Sequence, residues 1–235
     1  MLFSIIVIQI TVFLFFFAIE RIFPARKQHR QQGFSLLWVF VNVFATGWAN
    51  VALNFYIDFG RGPIYFDIGL LYYGCCFYLI YSFVNYWYHR VKHSNAFLWR
   101  NLHRFHHSTT QMETAVTFYK HPFEYIANSV VVLTLAWVFS VPFEAIAMAL
   151  AIEGCLECFH HSNIKLPKKL DWIGWVIQTP KMHLIHHQRG LHRYNYVAFL
   201  WDSVFGTAIV YQEFEGKLGF NDNSGALDNI FRKKA

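Results

Sequence analysis

Histidines recur along this chain at spacings that let several imidazoles meet at one point. His89 and His93 stand four residues apart, and His103, His106 and His107 form an HxxHH pattern that His183, His186 and His187 repeat. On a helix, residues three and four apart are neighbours, with Cβ atoms about 5–6 Å from one another. The first pair can therefore chelate one ion, and in each HxxHH box the second and third rings both neighbour the first. Imidazole suits iron, zinc, copper and nickel alike, so the spacing points to metal chemistry while leaving the ion open.

A fourth element is the stripe Glu153, Glu157 and His161, at i, i+4 and i+8. Carboxylates and imidazole near lipid are costly unless paired or metal-bound, so this face is expected to point at the same centre. His160 lies about 100° around a helix from His161, which favours His161 as the ligand and leaves His160 beside it. Nine ligands follow: His89, His93, His103, His106, His107, His161, His183, His186 and His187. A zinc site takes only three or four protein ligands, so nine imply two ions of higher than tetrahedral coordination. Glu157, Glu153 and Asn163 are candidates to orient the rings, with Glu157 also a candidate additional ligand. His121, just before Pro122, and His192 fall outside the boxes and read as hydrogen-bonding or substrate-side residues. His29 stands alone among basic residues and reads as solvated.

The elements that must carry these residues are apolar. Hydrophobic residues make up 55% of the 235 and charged ones 14%, against roughly 25% charged in soluble domains, so lipid must cover much of the surface. Runs from Leu2 to Ile19, Ser35 to Ile57 and Ile68 to Tyr88 are long enough to cross a bilayer, and the first has no basic leader, so it reads as an uncleaved span. Ile126 to Phe159 is apolar but broken near Pro142 and Glu144, which predicts a helical hairpin of two halves of about 15 residues. Of the 20 Lys and Arg residues only Arg61 falls on the far side of these crossings, the bias of cytoplasmic loops.

The expected fold is all-α. It is an integral membrane helical bundle of about three spans plus a hairpin, under a histidine-rich cytoplasmic helical cap. One domain fills 1–235: 1–88 mainly transmembrane, 89–125 the first boxes, 126–159 the hairpin, 160–207 the later boxes and 208–235 a tail, loosely ordered from Asn221 to Ala235. The net charge of +6 lies beside spans and outside any nucleic-acid fold motif, so anionic headgroups explain it and no nucleic-acid partner is expected. Cys155 and Cys158 lie in an apolar stretch with no second pair of that spacing, and read as buried apolar side chains.

The ordered motifs resemble the fatty acid hydroxylase and sterol desaturase superfamily of membrane di-iron oxygenases. The resemblance runs from about Tyr86 to Thr207. It is carried by Tyr86-Trp-Tyr-His89-Arg-Val-Lys-His93, Leu98-Trp-Arg-Asn-Leu-His103-Arg-Phe-His106-His107-Ser108, His121-Pro-Phe-Glu124, His161-Ser-Asn163-Ile-Lys-Leu-Pro167, Thr179-Pro-Lys-Met-His183-Leu-Ile-His186-His187 and Trp201-Asp-Ser-Val-Phe-Gly-Thr207. Glu20-Arg-Ile-Phe-Pro24 also looks like bacterial members. Three departures stand out: Ser82 where an Asp often precedes the first box, Tyr196-Val197 for Tyr-Gly, and Glu157 where some members place another histidine.

The resemblance implies two iron ions, molecular oxygen, an external electron donor (cytochrome b5-like, or ferredoxin with its reductase) and a C–H bond in a membrane lipid such as an acyl chain or sterol. Hydroxylation is favoured over desaturation, in the bacterial inner membrane or the endoplasmic reticulum. Two other classes use histidine at membranes. A metal-handling or transport protein would line its spans with ionisable residues, of which the first three runs hold almost none. A zinc hydrolase would turn over without oxygen or reductant.

Overall fold

The computed structural model describes residues 2–27, 64 and 68–220. The expected second span, His29, Arg61 and the tail from Asn221 to Ala235 lie outside the described residues. Among the described residues every regular element is helical, and strand pairing is confined to one antiparallel bridge between Ile177 and Phe199.

Helix α1, Leu2–Ile22, is apolar from end to end. Its stretch Ser4–Ile22 is the one described helix long and apolar enough to cross a membrane. Ile6, Ile8, Ile10, Leu14 and Phe15 are all more than half exposed, a surface that calls for an apolar solvent. The inner end of α1 is pinned by Glu20, whose carboxylate is fully buried. Its Oε2 accepts from Thr114 N (2.8 Å), Thr114 Oγ1 (2.9 Å) and Asn163 N (3.0 Å), while Arg21 Nη1 donates to Oε1 at 3.0 Å. Glu20→Ala would leave two buried amides without an acceptor, each costing about 1–3 kcal/mol. A lowered thermal midpoint of the detergent-solubilised protein is expected.

Helix α2, Leu70–Ser94, runs for 25 residues, about 37 Å at 1.5 Å per residue. Its first half is core: Tyr73, Phe77, Tyr78 and Tyr81 pack with Val132, Ala136, Ala145, Ile146 and Ala149. Its last turns carry His89 and His93. Helix α3, Pro122–Val138, begins four residues before the expected Ile126 because Pro122 starts it and the His121 ring caps it, accepting from Phe123 N. The chain then turns through Ser140, whose φ is 48°, where Tyr73 Oη donates to the Phe139 carbonyl at 2.7 Å. Helix α4, Phe143–His161, follows with 19 residues, longer than the expected half, and packs along both α1 and α2.

The cap is built of short pieces. Ala96–Leu98, a π-helical turn at Trp99–His103 and Arg104–His106 follow α2, and the 3-10 segments Thr114–Phe118 and Lys168–Trp175 lie on either side of the α3–α4 pair in sequence. Helix α5, Pro180–His186, starts at the Thr179 cap, and α6 is Trp201–Val204. Phe105, Met112, Val116, Tyr119, Leu184 and Leu218 form a separate apolar core that fixes the second box against α5.

Candidate metal centre

The structure brings all nine predicted histidines together and sorts them into two groups. One holds His89, His93, His103, His107 and His186, and the other His106, His161, His183 and His187; within each, the ring nitrogens lie within 4.8 Å of one another. Nitrogens about 2.0–2.1 Å from a metal are at most about 4.2 Å apart, so small inward movements suffice for each group to hold one ion. All but His93 are buried.

Each HxxHH box serves both groups. His103 and His107 join the first and His106 the second, whereas His183 and His187 join the second and His186 the first. The helix period accounts for this: i+3 and i+4 diverge by about 100°, so the i, i+4 pair faces one centre and i+3 swings to the other. The spacing makes the three rings of a box neighbours without saying which ion each one faces. The groups touch where His107 stacks on His187, ring centroids 4.2 Å apart.

Hydrogen bonds fix the tautomers. His89 Nδ1 donates to the Tyr196 carbonyl. His103 Nδ1 donates to Glu124 Oε1 (2.8 Å), His106 Nδ1 to Tyr119 O (2.9 Å), His161 Nδ1 to Glu157 O (2.8 Å) and His186 Nδ1 to Tyr194 O (2.7 Å). An acceptor-only partner requires the proton on Nδ1, so the Nε2 of a neutral ring is a bare lone pair. Yet His89 Nε2 and His103 Nε2 stand 2.7 Å apart, and His106 Nε2 and His161 Nε2 3.3 Å. Facing lone pairs at these distances repel unless a cation lies between them, so the donor set fits bound metal.

Protonation is a poor substitute. Burial pushes His103 down to about 4, against which Glu124 pulls upward. Burial likewise holds His106, His107, His183, His186 and His187 well below the usual imidazole range, aided by neighbouring rings. Below about pH 6.5 the unfolded chain takes up protons that the folded site refuses. Stability contributed by these neutral rings is therefore complete above that pH and is lost as pH falls toward the depressed folded values. Metal release and a falling thermal midpoint are expected on acidification from about pH 6.5, followed with a chromophoric chelator and by thermal melts.

The residues outside the boxes divide. His160 is buried with its ring 4.1 Å from that of His183 but belongs to neither group. Glu157 orients His161 through its backbone carbonyl, while its carboxylate pairs with Lys120 at 2.7 Å. Glu153 accepts from Tyr78 Oη (3.1 Å) and Asn85 Nδ2 (3.3 Å). It lines a cavity of about 40 Å³ beside His89, His103, His106 and His161. His192 donates from Nδ1 to the His186 carbonyl (2.8 Å), its ring 4.6 Å from that of His107. His121 hydrogen-bonds as the cap of α3, whereas Asn163 bonds Arg26 and Glu20 and no imidazole, so it does not orient a ring. The four cysteines belong to neither group; Cys158 is buried, Cys155 partly so, and Cys75 and Cys76 are exposed.

Two supporting acids had no role assigned from the sequence. Glu124 is fully buried and its Oε1 is shared by His103 Nδ1 and Lys92 Nζ (2.9 Å). Burial opposes its charge, but Lys92 and His103 hold the carboxyl well below the usual carboxylate range. Asp202 accepts from Tyr196 N and Val197 N, both at 2.9 Å, and so sets the carbonyl that orients His89. A charged residue inside an otherwise apolar motif was the available signal in both cases.

An all-helical scaffold presenting nine converging imidazoles in two adjoining groups defines a histidine-box protein with a candidate two-metal centre. The fatty acid hydroxylase profile matches residues 74–207, more than half of the chain. The chain belongs to that family. It is 25% identical over 137 residues to a cholesterol 25-hydroxylase-like protein of Caenorhabditis elegans, covering 58% of this chain and 46% of that protein. It is 24% identical to human alkylglycerol monooxygenase (54% and 28%) and 29% identical to a very-long-chain aldehyde decarbonylase of Oryza sativa subsp. indica (63% and 26%). The matched region thus spans less than half the length of these curated relatives. No solved structure matches.

Proposed function

We propose that the nine histidines bind two iron ions and that the protein oxidises a C–H bond of a membrane lipid, by hydroxylation in preference to desaturation, with molecular oxygen and electrons from an external donor. The observation that carries this reading is the two pairs of bare Nε2 atoms that face one another, His89 with His103 at 2.7 Å and His106 with His161 at 3.3 Å. The relatives support it, two being named for hydroxylation or monooxygenation of cholesterol or alkylglycerol. The donor is of the cytochrome b5-like or ferredoxin type, and the metal face is cytoplasmic, beneath it a multi-pass bundle to which α1 contributes a span.

Bound iron supplies the redox chemistry of oxygen-dependent C–H oxidation. The protein's own groups do the positioning. Glu124 and the carbonyls of Tyr119, Glu157, Tyr194 and Tyr196 hold five rings in the Nδ1–H tautomer, which aims Nε2 inward. Burial of eight of the nine rings excludes bulk water. The cavity of about 40 Å³ has room for roughly two or three water-sized groups, and histidines of both groups line it together with Tyr81, Asn85, Asn128 and Glu153.

The test is turnover of the purified, iron-loaded protein with membrane lipid extracts, a reductant and isotopically labelled oxygen. Label-bearing lipid product and two irons per chain are expected. Zinc as the sole metal, with full turnover in the absence of oxygen, would overturn the proposal in favour of hydrolysis.

A further inference from the structure

We propose that a second site, apart from the histidines, binds the phosphate of an anionic phospholipid between Arg26, Lys165 and Lys168. These residues line a pocket of about 340 Å³ where the segment leaving α1 meets the segment leaving α4, within the size range of small-ligand sites.

Arg26 is held in place by a residue that no other role absorbs. Arg26 N donates to Asn163 Oδ1 (3.2 Å), Asn163 Nδ2 donates to Arg26 O (2.9 Å), and Ala25 N donates to Asn163 O (2.8 Å). Asn163 is itself fixed through its amide to the buried Glu20. The Arg26 guanidinium lies over the Phe214 ring, 4.7 Å from its centroid, and has no acceptor among the described residues. The pocket's two acids, Asp171 and Glu213, both approach a fourth cation of its lining, Lys181, at 2.9 and 3.9 Å. Arg26, Lys165, Lys168 and Lys181 against Asp171 and Glu213 leave the lining with a net charge of +2, and a guanidinium fork suits phosphate oxygens.

The depth of the pocket selects a lipid. Ile22 and Phe23, next to it at the end of α1, are 67% and 71% exposed. The segment Lys168–Trp175, which supplies Lys168, presents Trp172 at 60% and Trp175 at 47% exposure. Tryptophan and exposed apolar residues at the end of a span mark the headgroup layer, where basic pockets hold anionic headgroups. Ile164 and Leu166 supply an apolar floor for the first acyl carbons. This inference rests on α1 being a span and not on the identity of the metal or the reaction.

Native mass spectrometry of the full chain, with phosphatidylglycerol or phosphatidylcholine added to the detergent micelle, tests it. The wild type is expected to retain phosphatidylglycerol in preference. R26Q/K165Q/K168Q is expected to bind it about a hundredfold more weakly, and K165Q/K168Q, altering only exposed side chains, to show a partial loss. Metal content should be unchanged in both. Equal retention of the two lipids by the wild type, or an undiminished preference in the triple variant, would overturn the proposal. Inorganic phosphate binding as tightly as the lipid would overturn the lipid assignment in favour of a soluble phosphate compound.

Discussion

His187→Ala is expected to reduce bound iron from two per chain to one or fewer and to lower oxygen-dependent turnover by more than about a hundredfold. His187 Nε2 approaches His106 Nε2 at 3.1 Å and His183 Nε2 at 3.2 Å, so it joins two of the other three rings of the four-histidine group. Its ring also stacks on His107 of the other group. Altering a residue that only supports a ligand costs about 10–100-fold in metal affinity or activity, so removing a ligand should exceed that range. Iron analysis beside turnover separates metal loss from misfolding, and the unaltered circular dichroism of the variant completes the check. Two irons retained with full turnover would remove His187 from the ligand set.

Glu124→Leu is expected to act at a distance from the metal and still be severe. The carboxylate is fully buried and compensates two partners at once, holding the His103 tautomer and the ammonium of Lys92, whose side chain is 5% exposed. Removing one partner of a buried ion pair costs about 3–5 kcal/mol because the other charge is left uncompensated. Metal affinity should fall by a further factor of about 10–100 as His103 loses its orienting acceptor. A double variant, Glu124→Leu with Lys92→Met, should recover much of the stability but not the metal affinity. Recovery of both together would show that Glu124 serves only to neutralise Lys92.

These two residues mark the boundary of what the sequence discloses. His187 was legible because HxxHH is a local pattern, and helical spacing alone predicts that its rings are neighbours. The division of each box between two groups was not, since it depends on how the second box, turned by the π-helical residues Trp99–His103, meets α5 from some eighty positions later. Glu124 was visible as part of a motif, but its partners lie 32 and 21 residues away and only packing joins them. The stripe Glu153, Glu157 and His161 was read as facing one centre. Helical periodicity gives a shared face but not its depth, so His161 reaches the metal group while Glu153 stops lower, at Tyr78 and Asn85. Asn163 was misassigned because proximity in sequence to His161 says nothing of direction once the helix has ended. The all-helical class and the first apolar helix followed from composition and run length, which need no tertiary information.

The crossed membership of the HxxHH boxes bears on how the centre fills. The three rings of the second box and the three of the third are each linked through their backbones, yet each trio is divided between both clusters. Seating a first ion would immobilise segments that the second ion needs, so the second arrives at a scaffold whose ordering entropy is already lost. Titration with less than two equivalents of iron is therefore expected to yield empty and doubly loaded molecules with few in between, a distribution that intact-mass spectra can count directly.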